Sequence, residues 1–142
     1  MPQRHMIKQL SIFINNEPGR LAAIAKVLSE EGINIKAFNI AESSGFGVLR
    51  AIVEDPDHAC AKIKDRGIIV KETEVIAIPL EDTPGGLFKV AKVLGEAKIN
   101  IEYGYAYSGK KMAVFFFRVD DIQPAIRVLK DNGVTVLTGD EC

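Results

Sequence analysis

The sequence is poor in the residue types that most often mark a specialised chemistry or compartment. Its 142 residues include two cysteines, two histidines and no tryptophan. Two cysteines cannot build the disulfide framework of a small secreted domain, and reduced thiols suit the cytoplasm. The longest apolar run, residues 112–117, is far shorter than the ~20 residues that span a bilayer. The first residues contain no apolar signal segment. We therefore expect a cytoplasmic protein that is neither secreted nor membrane-bound.

An excess of charge of one sign is also missing. Eighteen basic and nineteen acidic residues leave a formal net charge of −1. Sequence-independent binding to a phosphate backbone or to anionic lipid needs an excess of positive charge. We therefore expect neither nucleic acid nor a membrane as a partner. With 47% hydrophobic and 26% charged residues, the composition is that of a folded globular chain.

Motifs for a metal, a cofactor or catalysis are absent. There is no Cys-x-x-Cys, no His-x-x-x-His and no complete P-loop ending in Lys-Ser or Lys-Thr, so these sites lack their ligands. Cys60 falls on the apolar side of a predicted helix and is interpreted as a core residue. Asp55 and Asp57 flank a proline and are interpreted as helix caps, because a cap next to proline explains them better than a catalytic pair. We expect no cofactor and no enzymatic activity.

The chain contains an internal repeat with a constant offset of 66 residues. Residues 18–35 lie over residues 84–101, and eleven of these eighteen positions are identical. The same offset relates residues 64–70 to residues 130–136. This pattern indicates a duplication, and it predicts two domains in tandem, residues 5–72 and residues 73–142.

Both copies predict the same order of elements. A short alternating strand, residues 7–14 in the first copy, runs into a Pro-Gly turn and an amphipathic helix. A second strand, beginning at Ile-Asn-Ile, turns back as a third strand, and a second helix stops at a glycine before a last short strand. The third strands are residues 47–53 and 112–119. The second helices stop at Gly67 and Gly133, and the last strands are residues 68–70 and 134–137. The order βαββαβ predicts an α+β fold of two ferredoxin-like modules, each an antiparallel sheet with both helices on one face.

The third strand of the second copy is apolar on both faces. Along residues 112–119, alternation leaves Arg118 as the single polar side chain. A strand buried on two faces needs a cover beyond its own helices, so we expect a homodimer stacked or joined through the sheets.

The candidate site is the strand-to-helix turn that occurs in both copies, at residues 15–21 and 81–87. A glycine here lets a ligand approach the backbone, and the free N–H groups of the first helical turn favour a carboxylate. Asn16 or Asp82 would then meet an α-amino group. The alternative is that both side chains are helix caps and that the glycines only turn the chain.

Two asparagines follow the turns at the same distance. Asn34 and Asn100 each stand between isoleucines at the start of a strand, where asparagine is unfavourable. Their amides offer a donor and an acceptor to a small polar ligand, although each could equally bond its own turn.

These features together resemble the ACT domain, an amino-acid-sensing module of metabolic enzymes, in two tandem copies. The resemblance rests on the βαββαβ order, the x-x-Pro-Gly-x-Leu turn and the Ile-Asn-Ile entry to the second strand. It implies that a free amino acid binds at an interface between modules, between the loop of one and the second strand of its neighbour. Carried onto this sequence, it indicates as ligand-binding residues Asn16, Pro18, Gly19, Arg20, Leu21, Asn34, Ile35, Asp82, Thr83, Pro84, Gly85, Gly86, Leu87, Asn100 and Ile101. No enzyme domain is attached, so we expect the regulation of a metabolic enzyme in trans, or the storage or sensing of a ligand.

The two copies are not equivalent. Gly86 of the second copy leaves backbone open where the first copy has Arg20, which can clamp a carboxylate or fill the pocket. We therefore expect the second loop to be the better site. The second copy also has Tyr103, Tyr105 and Tyr107 on one strand face, interpreted as core or interface, with a ligand-stacking wall as the alternative.

Three other functions compete with amino-acid sensing. RNA-recognition modules share the element order, and residues 45–48 resemble their Gly-Phe-Gly motif, but the stacking aromatic residues are missing. A small α+β enzyme would need a base and a nucleophile that the sequence does not pair. An interaction module that binds another protein and no metabolite is the third alternative.

Overall fold

The α+β fold predicted from the sequence is confirmed. A computed structural model of the chain describes residues 5–15, 17–43, 45–81, 84–108 and 112–139. The elements in chain order are β1 Ile7–Asn15, α1 Arg20–Glu30, β2 Ile35–Ser43, β3 Phe46–Val53, α2 Pro56–Asp65, β4 Val70–Leu80, α3 Gly86–Glu96, β5 Ile101–Ser108, β6 Ala113–Val119 and α4 Ile122–Asp131. They divide into two compact units, residues 8–73 and, together, residues 5–7 and 74–139.

The first unit is an antiparallel sheet with α1 and α2 on one face. Strand β3 pairs with β1 on one side and with β2 on the other. Alternate residues of the strands, such as Ile12 and Leu49, pack against Ile24 and Leu28 of α1 and Ile63 of α2. The Phe13 N–H donates to the Ile69 carbonyl over 2.9 Å, which holds the segment after α2 beside β1. Both helices therefore cover one face, as predicted.

The second unit repeats this plan with α3 and α4. Strand β6 pairs antiparallel with β4 and with β5. Phe117, which is fully buried, lies in a core with Ile78 of β4, Leu94 of α3 and Leu129 of α4. The Leu137 N–H donates to the Ala77 carbonyl over 2.9 Å, so the segment after α4 lies beside β4.

The predicted last strands are wrong in detail. Residues 134–138 form no regular strand, although the bond from the Leu137 N–H to the Ala77 carbonyl holds this segment beside β4. In the first copy Ile68 and Ile69 precede the strand, and Val70 opens β4. Strand β4 then continues without a break into the second copy, because residues 70–78 contain neither glycine nor proline to end it.

The third strand of the second copy has a buried ring on each face within a single chain, and its other residues except Val119 are half-buried. Phe117 on the helix side is fully buried, and Phe116 on the other side is 3% exposed. The Tyr105 ring stacks on the Phe116 ring, with 5.7 Å between their centroids. The burial of this strand therefore does not by itself require a second copy. The homodimer stays a prediction that needs another surface.

The interpretation of two residues near α2 is confirmed. Asp55 caps the helix, since its Oδ1 accepts from the His58 N–H over 3.3 Å. Cys60 is a core residue, 4% exposed, and burial raises the pKa of its thiol. Asp57, also interpreted as a cap, instead forms an ion pair with Lys8 over 2.8 Å, and this contact lowers the pKa of its carboxyl.

Candidate functional site

A groove of about 820 Å³ lies where β4 ends and α3 begins. We call it the second-copy groove. Its lining residues are 78–81, 84–86, 89, 90, 112 and 133–135. Its volume falls within the range of roughly 300 to 1,000 Å³ that is usual for small-molecule sites.

Two adjacent glycines lie at the entrance of this groove, and glycine is present at each position for a different physical reason. Gly85, at the N-cap of α3, has a φ of +104°, a conformation that side chains rarely adopt. Gly19 has the corresponding conformation at the N-cap of α1, with a φ of +86°. Gly86 has no such φ, and a Cβ there would lie 3.7 Å from the Glu81 carbonyl oxygen and from Leu80 Cδ2. The backbone therefore requires glycine at 85 but not at 86, where its main effect is to leave the groove open.

The second-copy groove carries one group of each charge. Lys89 lines it one helical turn after Gly86, and Glu81 lines it at the end of β4. Among the described residues neither side chain has an ion-pair partner. The first-turn N–H groups of α3 have no intrahelical acceptors, and the N-cap glycine supplies no side-chain oxygen for them. The groove therefore presents donors for a carboxylate and an acceptor for an ammonium group.

The rest of the groove wall is largely apolar. Leu80, Val90 and Val134 contribute aliphatic surface, and Met112 is 46% exposed. Because methionine is flexible and polarizable, it adapts to irregular apolar groups.

The first copy has an equivalent groove of about 390 Å³, which we call the first-copy groove. Its lining residues are 13–15, 20, 23, 24, 27 and 66–69. At the offset of 66, nine of these eleven positions correspond to positions that line the second-copy groove. The repeat in the sequence is thus also a repeat of the groove.

The first-copy groove is narrowed and its cations are already paired. Arg20 stands at the position of Gly86, and its Nε lies 3.5 Å from Glu17 Oε2. Arg66 lies 2.8 Å from Glu30 and 3.1 Å from Glu31. The bond to Arg66 lowers the pKa of Glu30, and the two carboxylates raise the pKa of Arg66.

Four of the predicted site residues line the grooves. They are Arg20 in the first copy and Pro84, Gly85 and Gly86 in the second. Pro18, Gly19, Leu21 and Leu87 belong to the same turns and helix starts and are exposed, but they are not lining residues. Asn16, Asp82 and Thr83 lie outside the described residues.

The structure does not bring the second-strand residues to either groove. Ile35 and Ile101 pack against the cores of their units. Asn34 and Asn100 are exposed at the strand starts. The Asn100 N–H donates to Asp120 Oδ1 over 3.3 Å, and its carbonyl accepts from the Asp120 N–H. These four residues stay predictions for a site completed by a neighbouring module.

The candidate turn predicted from the sequence contains Glu81 without a role for it, and it contains neither Lys89 nor the far wall of the second-copy groove. Lys89 and Glu81 had a detectable signal, because both are within one turn of the Pro-Gly pair. Residues 133–135 had none, since they reach the groove only through the pairing of the last segment with β4.

Other sequence features lie elsewhere. Tyr107 is 50% exposed on β5, and none of the three tyrosines lines a described groove. Residues 104–110 read Gly-x-x-x-x-Gly-Lys, but a lysine follows, and the described part is strand β5, so this is not a P-loop. In the described ranges no cluster of His, Cys, Asp or Glu is placed to hold a metal ion. No helix of the described chain has the length and apolar character needed to cross a bilayer.

Comparison with known proteins agrees with the fold. The family model for an ACT domain pair matches residues 5–141. The crystal structure of protein BT0572 from Bacteroides thetaiotaomicron is similar over 96% of this chain and 95% of that chain, with 39% identity and a TM-score of 0.90. The ligand-free regulatory subunit of aspartate kinase from Thermus thermophilus shares the fold over 89% of this chain and 93% of that chain, at 14% identity and a TM-score of 0.61. The regulatory subunit of aspartate kinase from Thermus flavus shares the fold over 88% of this chain and 92% of that chain, at 15% identity and a TM-score of 0.57. No curated protein matches the chain. The resemblance inferred from the turn and strand motifs is confirmed: the chain belongs to the family of ACT domain pairs.

Proposed function

We propose that this protein is a non-catalytic regulator that binds a free amino acid in the second-copy groove. The observation that carries the proposal is Gly86, a glycine that the backbone does not require and that leaves the larger groove open. Its counterpart Arg20 stands in the smaller groove, so the two copies differ where a ligand would enter.

The charges of the groove support an α-amino acid as the ligand. The α-carboxylate would lie between Lys89 and the first-turn N–H groups of α3, which favour an anion. The α-ammonium would lie at Glu81. The side chain would contact Leu80 and Met112, so we propose a neutral amino acid with an apolar side chain of small to medium size.

The proposed regulation is in trans. The two solved structures from Thermus share this fold and are, by name, regulatory subunits of aspartate kinase. By analogy, ligand binding here would change the affinity of a homodimer for a metabolic enzyme in the cytoplasm. Residues 5–72 and 73–142 are the proposed extents of the two modules. Asn34 and Ile35, or Asn100 and Ile101, would complete a site from a neighbouring module.

A second candidate function is protein binding without a metabolite. It is favoured by one observation: Leu87 and Phe88, at the start of α3, are 56% and 69% exposed. Neither side chain lines the first-copy or the second-copy groove. Contiguous exposed apolar side chains of this kind often mark a protein interaction surface.

A thermal-shift screen against the twenty amino acids separates the two functions. A ligand at a hundredfold excess over its Kd stabilises the native chain by about 2.7 kcal/mol. We expect one or a few neutral apolar amino acids to raise the melting temperature of the wild type and of Gly86→Ala. Gly86→Arg, which copies the first module, should show no shift. If none of the twenty shifts the wild type, amino-acid binding is contradicted and protein binding is favoured.

A further inference from the structure

The two grooves differ in the charged groups that line them. In the second-copy groove Glu81 and Lys89 provide one charge of each sign. At the offset of 66, Asn15 and Ala23 stand at these positions and line the first-copy groove. The described lining residues of the first-copy groove include no carboxylate, and the charged residues among them are arginines. This groove therefore has no lining group that offsets the charge of an ammonium group.

Arg20 has donors that remain available for an anion. Its Nε lies 3.5 Å from Glu17 Oε2, and the two side chains are 53% and 62% exposed. An ion pair this exposed contributes little, because water and salt compete with it. A guanidinium has five N–H donors, and in the described part of the chain the Nη groups of Arg20 have no acceptor. These groups form a fork that matches the two oxygens of a carboxylate.

The start of α1 makes the same end of the groove favourable for an anion. The N-cap residue Gly19 supplies no side-chain oxygen to the first-turn N–H groups of α1, of which Arg20 is the first residue. These N–H groups and the helix dipole favour a negative charge. The other lining arginine, Arg66, already donates through both Nη groups to Glu30 and Glu31. A carboxylate would therefore lie at Arg20.

Asn15 adds a neutral hydrogen-bonding group to this end of the groove. It is the last residue of β1, and its side-chain amide has no hydrogen-bond partner among the described residues. An amide donates to a carbonyl oxygen and exchanges hydrogen bonds with a hydroxyl. It carries no charge for an ammonium group, which the guanidinium of Arg20 would repel. Asn15 and Arg20 therefore fit a carboxylate that has a neutral oxygen on the adjacent carbon.

The rest of the first-copy groove is apolar and follows one face of α1. The residues of α1 that line it are Arg20, Ala23, Ile24 and Val27, which have the spacing of a single helix face. Between the first and the last of them the helix rises about 10 Å. Ile68, after α2, also lines the groove and is apolar. A ligand with its carboxylate at Arg20 therefore has room for a branched apolar side chain.

We propose that the first-copy groove binds a 2-oxo acid or 2-hydroxy acid with an apolar side chain. Arg20 holds the carboxylate, Asn15 bonds the oxygen on the second carbon, and the apolar face of α1 contacts the side chain. The groove and the ligand both differ from those of the proposed function. The proposal therefore holds whether or not an amino acid binds the second-copy groove.

Isothermal titration calorimetry of the full chain with 4-methyl-2-oxopentanoate tests the site. We expect the wild type to bind one equivalent. Arg20→Gln should weaken binding at least about tenfold, because a hydrogen-bonded charge is lost. Glu17→Gln should tighten binding roughly two- to fivefold, because Glu17 no longer competes for Arg20. Arg127→Gln, which removes an exposed arginine from α4, is the matched control and should leave the Kd unchanged.

A ligand series tests the group on the second carbon. 2-Hydroxy-4-methylpentanoate should also bind, and the stronger of the two acids identifies the group that the site prefers. 4-Methylpentanoate, which has no oxygen at this position, should bind about fivefold more weakly. Asn15→Ala should lower the affinity for the oxo acid to that of 4-methylpentanoate. Leucine, which has an ammonium group there, should not displace the oxo acid.

Three results would overturn the proposal. The first is no binding of either acid at millimolar concentration. The second is binding that Arg20→Gln leaves unchanged, or that Lys89→Gln abolishes instead, since the acid would then lie outside the first-copy groove. The third is displacement of the oxo acid by leucine. Far-UV circular dichroism checks the fold of each variant, and tighter binding in Glu17→Gln cannot come from misfolding. Failure of the amino-acid screen leaves these results unaffected.

Discussion

Two neighbouring glycines should respond in opposite directions to the same substitution. Gly85 has a φ of +104°, and an added Cβ would touch nothing within 4 Å, so the cost of Gly85→Ala is conformational. A left-handed conformation costs an L-residue about 1 to 2 kcal/mol, of which up to about 1 kcal/mol is offset by a stiffer unfolded chain. We expect Gly85→Ala to lower the free energy of unfolding by about 1 kcal/mol.

Gly86→Ala should instead raise the free energy of unfolding. Gly86 is the first residue of α3, has no left-handed φ, and an added Cβ would make only ordinary contacts at 3.7 Å. Alanine in a helix is more favourable than glycine by about 0.5 to 1 kcal/mol. The two variants should therefore differ by roughly 2 kcal/mol, or about 6 °C in melting temperature.

Urea unfolding followed by far-UV circular dichroism measures this difference. Gly19→Ala, at the corresponding N-cap of the first copy, is the matched control and should behave like Gly85→Ala. If Gly86→Ala were as destabilising as Gly85→Ala, the backbone would require both glycines. Glycine at position 86 would then be explained by its backbone conformation and not by the open groove.

Three further predictions concern the packing, a helix end and a surface ion pair. Gly104→Ala should destabilise the chain by about 2 kcal/mol, because its Cβ would lie 2.5 Å from the Phe115 ring; an unchanged melting temperature would contradict that packing. Lys98→Gly should stabilise it by about 1 kcal/mol in urea unfolding, because Lys98 has a left-handed φ of 60° after α3; a loss of stability would show that the lysine side chain matters more than its backbone. The pKa of Glu30 is lowered by Arg66, so its contribution to stability is present above the ordinary value of 4.5 and is lost as the pH falls through the folded pKa. In an NMR titration Arg66→Ala should raise the pKa of Glu30, and an unchanged value would contradict the ion pair.

Much of the fold follows from local signals that occur twice. Each of these signals lies close in the sequence to the element that it specifies. They are the Pro-Gly turns, the helical spacing of Leu21, Ile24 and Leu28, and the glycines after each second helix. Repetition at a fixed offset turns each of these short signals into two consistent observations. For this reason the element order and the fold class were predictable.

The last strands and the cover of β6 were not predictable, because both depend on contacts between distant residues. The Leu137 N–H donates to the carbonyl of Ala77, which lies far earlier in the sequence. Phe116 is buried partly by Tyr105. This residue lies opposite Phe116 on the adjacent strand, but the two are not neighbours along the sequence. Apolar character on both faces of a strand indicated that each face has a buried ring, but not what buries it.

The site shows the same division between local and distant contacts. Gly85 and Gly86 are evident from the turn motif, whereas Lys89 is not, because it is Ala23 in the first copy and the motif consists of residues that the copies share. Residues 133–135 line the groove through the long-range pairing of the last segment. Lys89 and Gly86 share one sequence signal, since at both positions the two copies differ.

Isothermal titration calorimetry tests the central claim most directly. The titrant is the amino acid that gives the largest thermal shift, and the chains are the wild type, Gly86→Arg and Arg20→Gly. The account predicts one site per chain in the wild type, no binding to Gly86→Arg, and an intact second-copy site in Arg20→Gly. Undiminished binding to Gly86→Arg, or two equal sites in the wild type, would contradict it.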